Sequence, residues 1–245
     1  MKKIITTSIA AGLVASVATA GVDVTMDFAS AYVFRGYTFN DNAVFQPGIE
    51  VSGLGLPESF GSVAVGAWGN VDLRKPYGEG QTSQFSETDW YGSYSLPGMV
   101  DGLDLYVGYC EYTYPLKGGS ADKEVNAGVG YEIVGVGLGA TVYHLIGGAF
   151  VNDTWYEVAA SYGIDLSESL ALGVAADARF VDSRDGMSGF NDYTLAVDIG
   201  YTLSEVWSVG ASLAYIGQGD DEVLVEGDGG YDVDIVGMLS IGASF

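Results

Sequence analysis

The chemistry available to this chain is carboxylate chemistry. Thirty-two Asp and Glu stand against 9 Lys and Arg and a single His in 245 residues, for a formal charge of −23. A hydrolase of the Ser/His/acid type needs an imidazole beside its serine. The one histidine, His144, falls by strand parity on the face opposite the acids and reads as a rim residue. Acid–base pairs of Asp and Glu could be drawn almost anywhere, so no pair is singled out. Asp220, Asp221, Glu222 and Asp228 lack the spacing of an EF-hand loop and read as a solvated acidic loop. No catalytic residue, metal site or cofactor is therefore expected. A charge this negative also argues against nucleic acid as a partner, and Cys110, being alone, forms no internal disulfide.

What so many carboxylates can do together is set a field. Asp23, Asp27, Glu50, Asp72, Glu87, Asp89, Asp104, Glu124, Glu132, Glu157, Asp177, Asp192, Asp198, Asp232 and Asp234 all fall on one parity of alternating segments. The basic residues on that parity are Arg35, Arg74 and Arg179. Gathered around a lumen, such a set concentrates cations and repels anions. Glu50, Asp72, Glu87 and Asp177 stand where the arginines could meet them, and Asp89 joins them as a candidate lumen residue. The arginines then either make structural ion pairs across adjacent strands or form, opposite the acids, a constriction with a transverse field.

Positioning these groups requires strands. Runs that alternate apolar and polar residues lie near 22–35, 43–53, 61–74, 85–96, 102–114, 123–134, 135–147, 153–165, 168–182, 190–204, 206–217 and 230–245. They are separated by Gly, Pro, Asn, Asp and Ser clusters. That makes about twelve strands, an even number as bacterial barrels require. Longer polar connections such as Arg74–Gln84 and Gly219–Gly229 alternate with short turns such as Val134-Gly135. On the apolar parity, Tyr32, Phe34, Phe45, Tyr109, Tyr156, Phe180, Tyr193, Tyr215 and Tyr231 lie near the loop ends. Tyr94, Tyr131, Tyr162, Tyr201, Trp207 and Phe245 lie near the turn ends. Two aromatic levels with Val, Leu, Ile and Ala between them are the girdles of a transmembrane barrel. Glycines on the inward parity, among them Gly48, Gly66, Gly108, Gly128, Gly130, Gly137, Gly139, Gly173, Gly200 and Gly210, either leave lumen space or admit large neighbours.

Residues 1–20 carry two lysines, an apolar stretch and the small-residue end Ala18-Thr19-Ala20, the pattern of a cleaved signal peptide. The apolar part is shorter than the ~20 residues of a spanning helix. A chain that spans a membrane without such a helix must do so as a closed barrel. The expectation is one all-β domain over 21–245, a single antiparallel up-and-down transmembrane barrel in the bacterial outer membrane.

Ala29-Ser-Ala-Tyr-Val-Phe-Arg-Gly36 resembles the opening of the TorF-like porins (Gcw_chp) of proteobacterial outer membranes, whose members typically read Ser-x-Tyr-x-Phe-Arg-Gly. Asn40-Asp-Asn42, Gln46-Pro-Gly48, Trp68-Gly-Asn-Val71 and Tyr112-Thr-Tyr-Pro115 add to the likeness over the first half of the chain. Tyr37-Thr-Phe39 departs from it, since members more often carry a short polar stretch there. The resemblance implies an outer-membrane barrel and supplies no catalytic or binding residues.

The function expected is passive diffusion of small solutes, cationic or neutral, with outer-membrane lipid and the barrel-assembly machinery as partners. The alternative is a closed barrel that acts structurally or through its loops. Phe245 completes the apolar parity of the final run and resembles the terminal signal of barrel insertion. Its deletion, or Phe245→Asp, is expected to lower the yield of heat-modifiable, membrane-inserted protein in cells. An unchanged yield would refute that role.

Overall fold

The computed structural model describes residues 21–54, 58–76, 82–98, 100–184, 186–227 and 229–245, and the expected signal segment lies outside them. In chain order the strands are β1 (Gly21–Ala29), β2 (Tyr32–Phe34), β3 (Tyr37–Asn40), β4 (Val44–Ser52), β5 (Ser62–Asp72), β6 (Phe85–Ser95), β7 (Leu103–Thr113), β8 (Asp122–Ile133), β9 (Val136–Gly147), β10 (Thr154–Asp165), β11 (Leu170–Asp182), β12 (Gly189–Thr202), β13 (Trp207–Gln218) and β14 (Ile235–Ser244). Twelve of them close a barrel in which every neighbour is antiparallel, and β2 and β3 form a separate two-stranded hairpin. β1 pairs with both β4 and β14, so no sheet edge is left open.

Alternation is what makes these segments strands of a two-sided wall. On β12, Leu195, Val197, Ile199 and Tyr201 are exposed on the outside while Thr194, Ala196 and Asp198 turn inward. On β10, Tyr156, Val158 and Tyr162 are exposed between inward Trp155, Glu157 and Ala159. An apolar surface continuous around a barrel is suited to hydrocarbon. Tyr109, Tyr156, Phe180 and Tyr215 stand exposed at the loop ends, and Tyr131, Tyr162, Tyr201, Trp207 and Phe245 at the turn ends.

Both terminal strands are shorter than the alternation suggests. β1 stops at Ala29 rather than 35, because Ser30 and Gly237 exchange the last bonds of that ladder: the Ser30 amide donates to the Gly237 carbonyl, and the Gly237 amide to Ser30 Oγ. The chain then turns into the lumen. Arg35 and Gly36 both have positive φ, +50° and +78°, and Phe34 pairs with Tyr37, which is the two-residue hairpin turn that matches strand twist. Tyr32 and Phe34 are thus lumen residues and not girdle residues. Tyr32 is buried in a cluster with Ala29, Val44, Ile216, Val236 and Met238. β14 begins only at Ile235, so Asp232 and Asp234 belong to the β13–β14 connection. Tyr231 packs against the same cluster, its hydroxyl donating to the Ile216 carbonyl.

The inward glycines serve both ends left open by the sequence. Tyr91 lies across Gly66, where an added Cβ would come within 2.2 Å of its ring, and Tyr106 lies across Gly128 to reach Thr141 Oγ1 at 2.8 Å. At Gly200, a Cβ would meet nothing within 4 Å. Packing and space coexist, strand by strand.

Gly36 has no such latitude. Its φ is left-handed, and a Cβ there would sit 2.6 Å from Leu224 Cδ2 and 2.9 Å from Asp192 Cβ. Gly36→Ala is expected to cost about 1–3 kcal/mol of stability, read as a lower urea midpoint of refolded protein in lipid vesicles. Because the closing strand pairs do not involve the hairpin, the variant still forms a heat-modifiable barrel. An unchanged midpoint would contradict the packing described.

Candidate functional site

The hairpin of β2 and β3 is the centre of the loop-side lumen, and Arg35 is its tip. The guanidinium bonds Glu124 on β8 through both oxygens, Nη1 to Oε2 at 2.7 Å and Nη2 to Oε1 at 3.2 Å. Its two side chains are 8% and 1% exposed. Rings of Tyr143, Phe34 and Trp155 face the guanidinium carbon at 4.3, 4.7 and 5.3 Å. Burial is the largest single influence and works against the cation, but Glu124, Tyr112 and Tyr143 together outweigh it, so the Arg35 pKa lies above even its ordinary value. Tyr112 completes the pair by donating to Glu124 Oε1 at 3.1 Å.

Polar contacts secure the rest of the hairpin. Asn191 Nδ2 donates to the Arg35 carbonyl at 2.8 Å, and Asn40 Nδ2 to Asp72 Oδ1 at 2.7 Å. Asp72 also accepts from Asn70 Nδ2 at 3.0 Å, so its buried oxygen is held by two amides. From above, the β13–β14 connection closes over the hairpin: the Thr38 amide donates to the Gly230 carbonyl, and Leu224 is fully buried.

Arg179 organises the opposite wall. Its Nε donates to Glu157 Oε2 at 2.9 Å, and its two remaining nitrogens contact Asp192 and Asp177. Glu157 and Asp192 are its direct cross-strand neighbours on β10 and β12. One guanidinium therefore answers three carboxylates on three strands.

The remaining acids and Arg74 divide differently. Glu87 and Asp89 are buried next to one another on β6, 4% and 7% exposed, with no ion pair among the described residues. Tyr32 bonds Glu87, and burial, then the charges of Glu87 and Asp89, push the Tyr32 phenol well above its usual range, keeping it a donor. Glu50 lies further toward the turns, half-buried, opposite Asp23 on β1 and Gly66 on β5. Arg74 is exposed beyond the end of β5 rather than inward, because the strand ends at Asp72. Among the described residues it bonds through its carbonyl, which accepts from Asn40 at 3.2 Å. His144 is bonded to Thr154 Oγ1 at 2.9 Å on the outward parity.

No family model matches the chain, and no curated protein matches it in sequence. Comparison of folds is more informative. The barrel has the architecture of outer-membrane porins. The KdgM porin aligns with a TM-score of 0.53 at 8% identity, over 92% of this chain and 99% of its own. A NanC porin structure gives 0.53 at 9%, over 91% and 98%. The COG4313 outer membrane channel from Pseudomonas putida F1 gives 0.55 at 10%, over 92% and 95%. At these identities the likeness is one of fold.

The two arginines in the lumen and the one outside it differ in what their loss exposes. Arg179→Leu strands three carboxylates, Asp192 fully buried and Glu157 and Asp177 partly so, and is expected to lower stability by about 3–5 kcal/mol. Arg74→Leu is expected to leave it unchanged. Urea unfolding in lipid vesicles distinguishes them, and equal behaviour would contradict the network.

Proposed function

We propose that the protein is an outer-membrane channel without enzymatic activity, through which small cationic or neutral solutes diffuse passively with a preference for cations. The observation that carries this reading is the charge balance of the lumen. Both buried arginines are already committed to carboxylates, while Asp23, Asp27, Glu50, Glu87, Asp89, Asp104 and Asp198 lie on inward positions with no ion pair among the described residues. Fixed charges of one sign in a narrow, partly low-dielectric passage favour the counter-ion. The porin architecture supports the reading, as does the likeness of Ser30–Gly36 to the TorF-like porins. The apolar outer surface and the signal-like residues 1–20 support the location.

A second reading is favoured by the hairpin. Together with the β13–β14 connection it occupies the loop-side mouth, as a closed barrel with a structural or loop-mediated role would require.

Planar bilayers separate the two. For a channel, the reversal potential in a KCl gradient indicates cation preference, which weakens with rising salt as the screening length falls to ~3 Å at 1 M. Combining Glu50→Gln, Glu87→Gln and Asp89→Asn reduces the preference further. Anion selectivity, or no effect of the triple substitution, rejects the mechanism. Single-channel steps that appear only after residues 31–42 are replaced by a short Gly-Ser linker identify the closed barrel.

A further inference from the structure

Asp89, with Glu87 beside it, is a buried acid that the described residues leave without a donor. They are i, i+2 neighbours on the inward face of β6, both more than nine-tenths buried. Asp89 Oδ1 is buried and accepts no hydrogen bond among the described residues. Groups nearby are occupied elsewhere. Asn70, the cross-strand neighbour of Glu87, gives its amide protons to Asp72 and Ser86. Arg35 belongs to Glu124. Glu87 receives the Tyr32 hydroxyl and lies within the field of Lys117, which is exposed on the β7–β8 connection and makes no ion pair among the described residues. Asp89 is the carboxylate left without a donor. A buried carboxylate without a partner costs several kcal/mol unless it takes up a proton or meets a cation, and a cation that donates hydrogen bonds here answers both acids at once.

The surroundings indicate what kind of cation. Asp89 stands between Trp68 on β5 and Tyr112 on β7, its neighbours across the sheet. Tyr32, from the hairpin above, packs against Trp68 with ring centroids 5.6 Å apart. A divalent metal requires six or more oxygens in a compact cage, and no group of three or more His, Cys, Asp or Glu among the described residues could hold one. Two carboxylates flanked by an indole and phenols suit a different guest. A protonated amine donates charge-assisted hydrogen bonds to the acids and gains cation–π attraction from the rings.

We infer that Glu87 and Asp89, beneath the β2–β3 hairpin, form a binding site for the ammonium group of a small primary amine. The site names a solute class for the proposed channel, and it rests on that reading only for the amine's route of entry. Binding itself is measurable without conduction.

The test is isothermal titration of the full chain, folded in detergent, with n-butylammonium and with its neutral counterpart 1-butanol, against a background of K⁺ and then Mg²⁺. Saturable binding of butylammonium at one site is expected, with none of butanol. Asp89→Asn weakens it about tenfold, the scale of one charge-assisted hydrogen bond, and adding Glu87→Gln abolishes it. Glu111→Gln, on the outer face, leaves it unchanged. Gel mobility before and after heating verifies folding of each variant, and the comparison of butylammonium with butanol needs no variant. Absence of saturable binding by the unmodified protein, equal binding of butanol, unaltered affinity in the double variant, or displacement by tighter-binding Mg²⁺ each overturns the site. A barrel that binds butylammonium but does not conduct retains the site and loses the channel. One that conducts cations without binding the amine does the reverse.

Discussion

The bidentate pair between Arg35 and Glu124 is the interaction around which the loop-side half of the lumen is arranged. A guanidinium carried into the loop-side lumen on the segment between β1 and β4 would be costly without a carboxylate waiting for it. Glu124 supplies one, and Tyr112, Tyr143, Phe34 and Trp155 enclose the pair so that water is replaced by hydrogen bonds and ring faces. With the tip fixed, the flanks of the hairpin settle on opposite walls. Tyr32 lies on Trp68 of β5 and Tyr37 on Trp155 of β10.

The two arginines of the interior represent different solutions to burying charge. Arg179 is a member of the wall and meets Glu157 and Asp192 through the register of adjacent strands, so its pairing is a by-product of the sheet. Arg35 reaches Glu124 across 89 residues of chain and needs the hairpin to arrive. The first stiffens a surface already formed. The second ties an independent element to it.

This contrast also explains how much could be read from the residues alone. The strands were legible because lipid and lumen impose opposite demands on successive side chains, an alternation broken only locally, as by the inward Val236 and Met238 of β14. That Arg179, Asp177, Glu157 and Asp192 share the inward parity was legible for the same reason, whereas the choice of Glu157 and Asp192 as partners depends on a register that the residues alone do not give. The hairpin was concealed by its own regularity, since Tyr32 and Phe34 continue the parity of Val24, Met26 and Phe28, and an inward-folded strand alternates just as an outer one does. The distinguishing signal is local: Arg35-Gly36 between Tyr-Val-Phe and Tyr-Thr-Phe is a turn pair between two aromatic arms. The importance of Glu124 could not emerge from parity, because its partner belongs to no neighbouring strand. Arg74 was placed inward only by extending β5 past Asp72, where the ladder ends. The residues that carry the resemblance to the TorF-like porins, Ser30 through Gly36, turn out to be this hairpin and its entry.

The β13–β14 connection ties the interior to the order of assembly. Thr38 receives the Val233 amide and donates its own to Gly230, and Ser30 exchanges bonds with Gly237. These contacts join the first and last fifths of the chain, the same segments that form the seam between β1 and β14. Loop closure over such a separation comes late, since its entropy must be met before any contact rewards it. The hairpin therefore cannot reach its final seat while the seam is open: the wall can close without the hairpin, but the hairpin cannot settle without the wall, and a half-built barrel has an unfurnished interior.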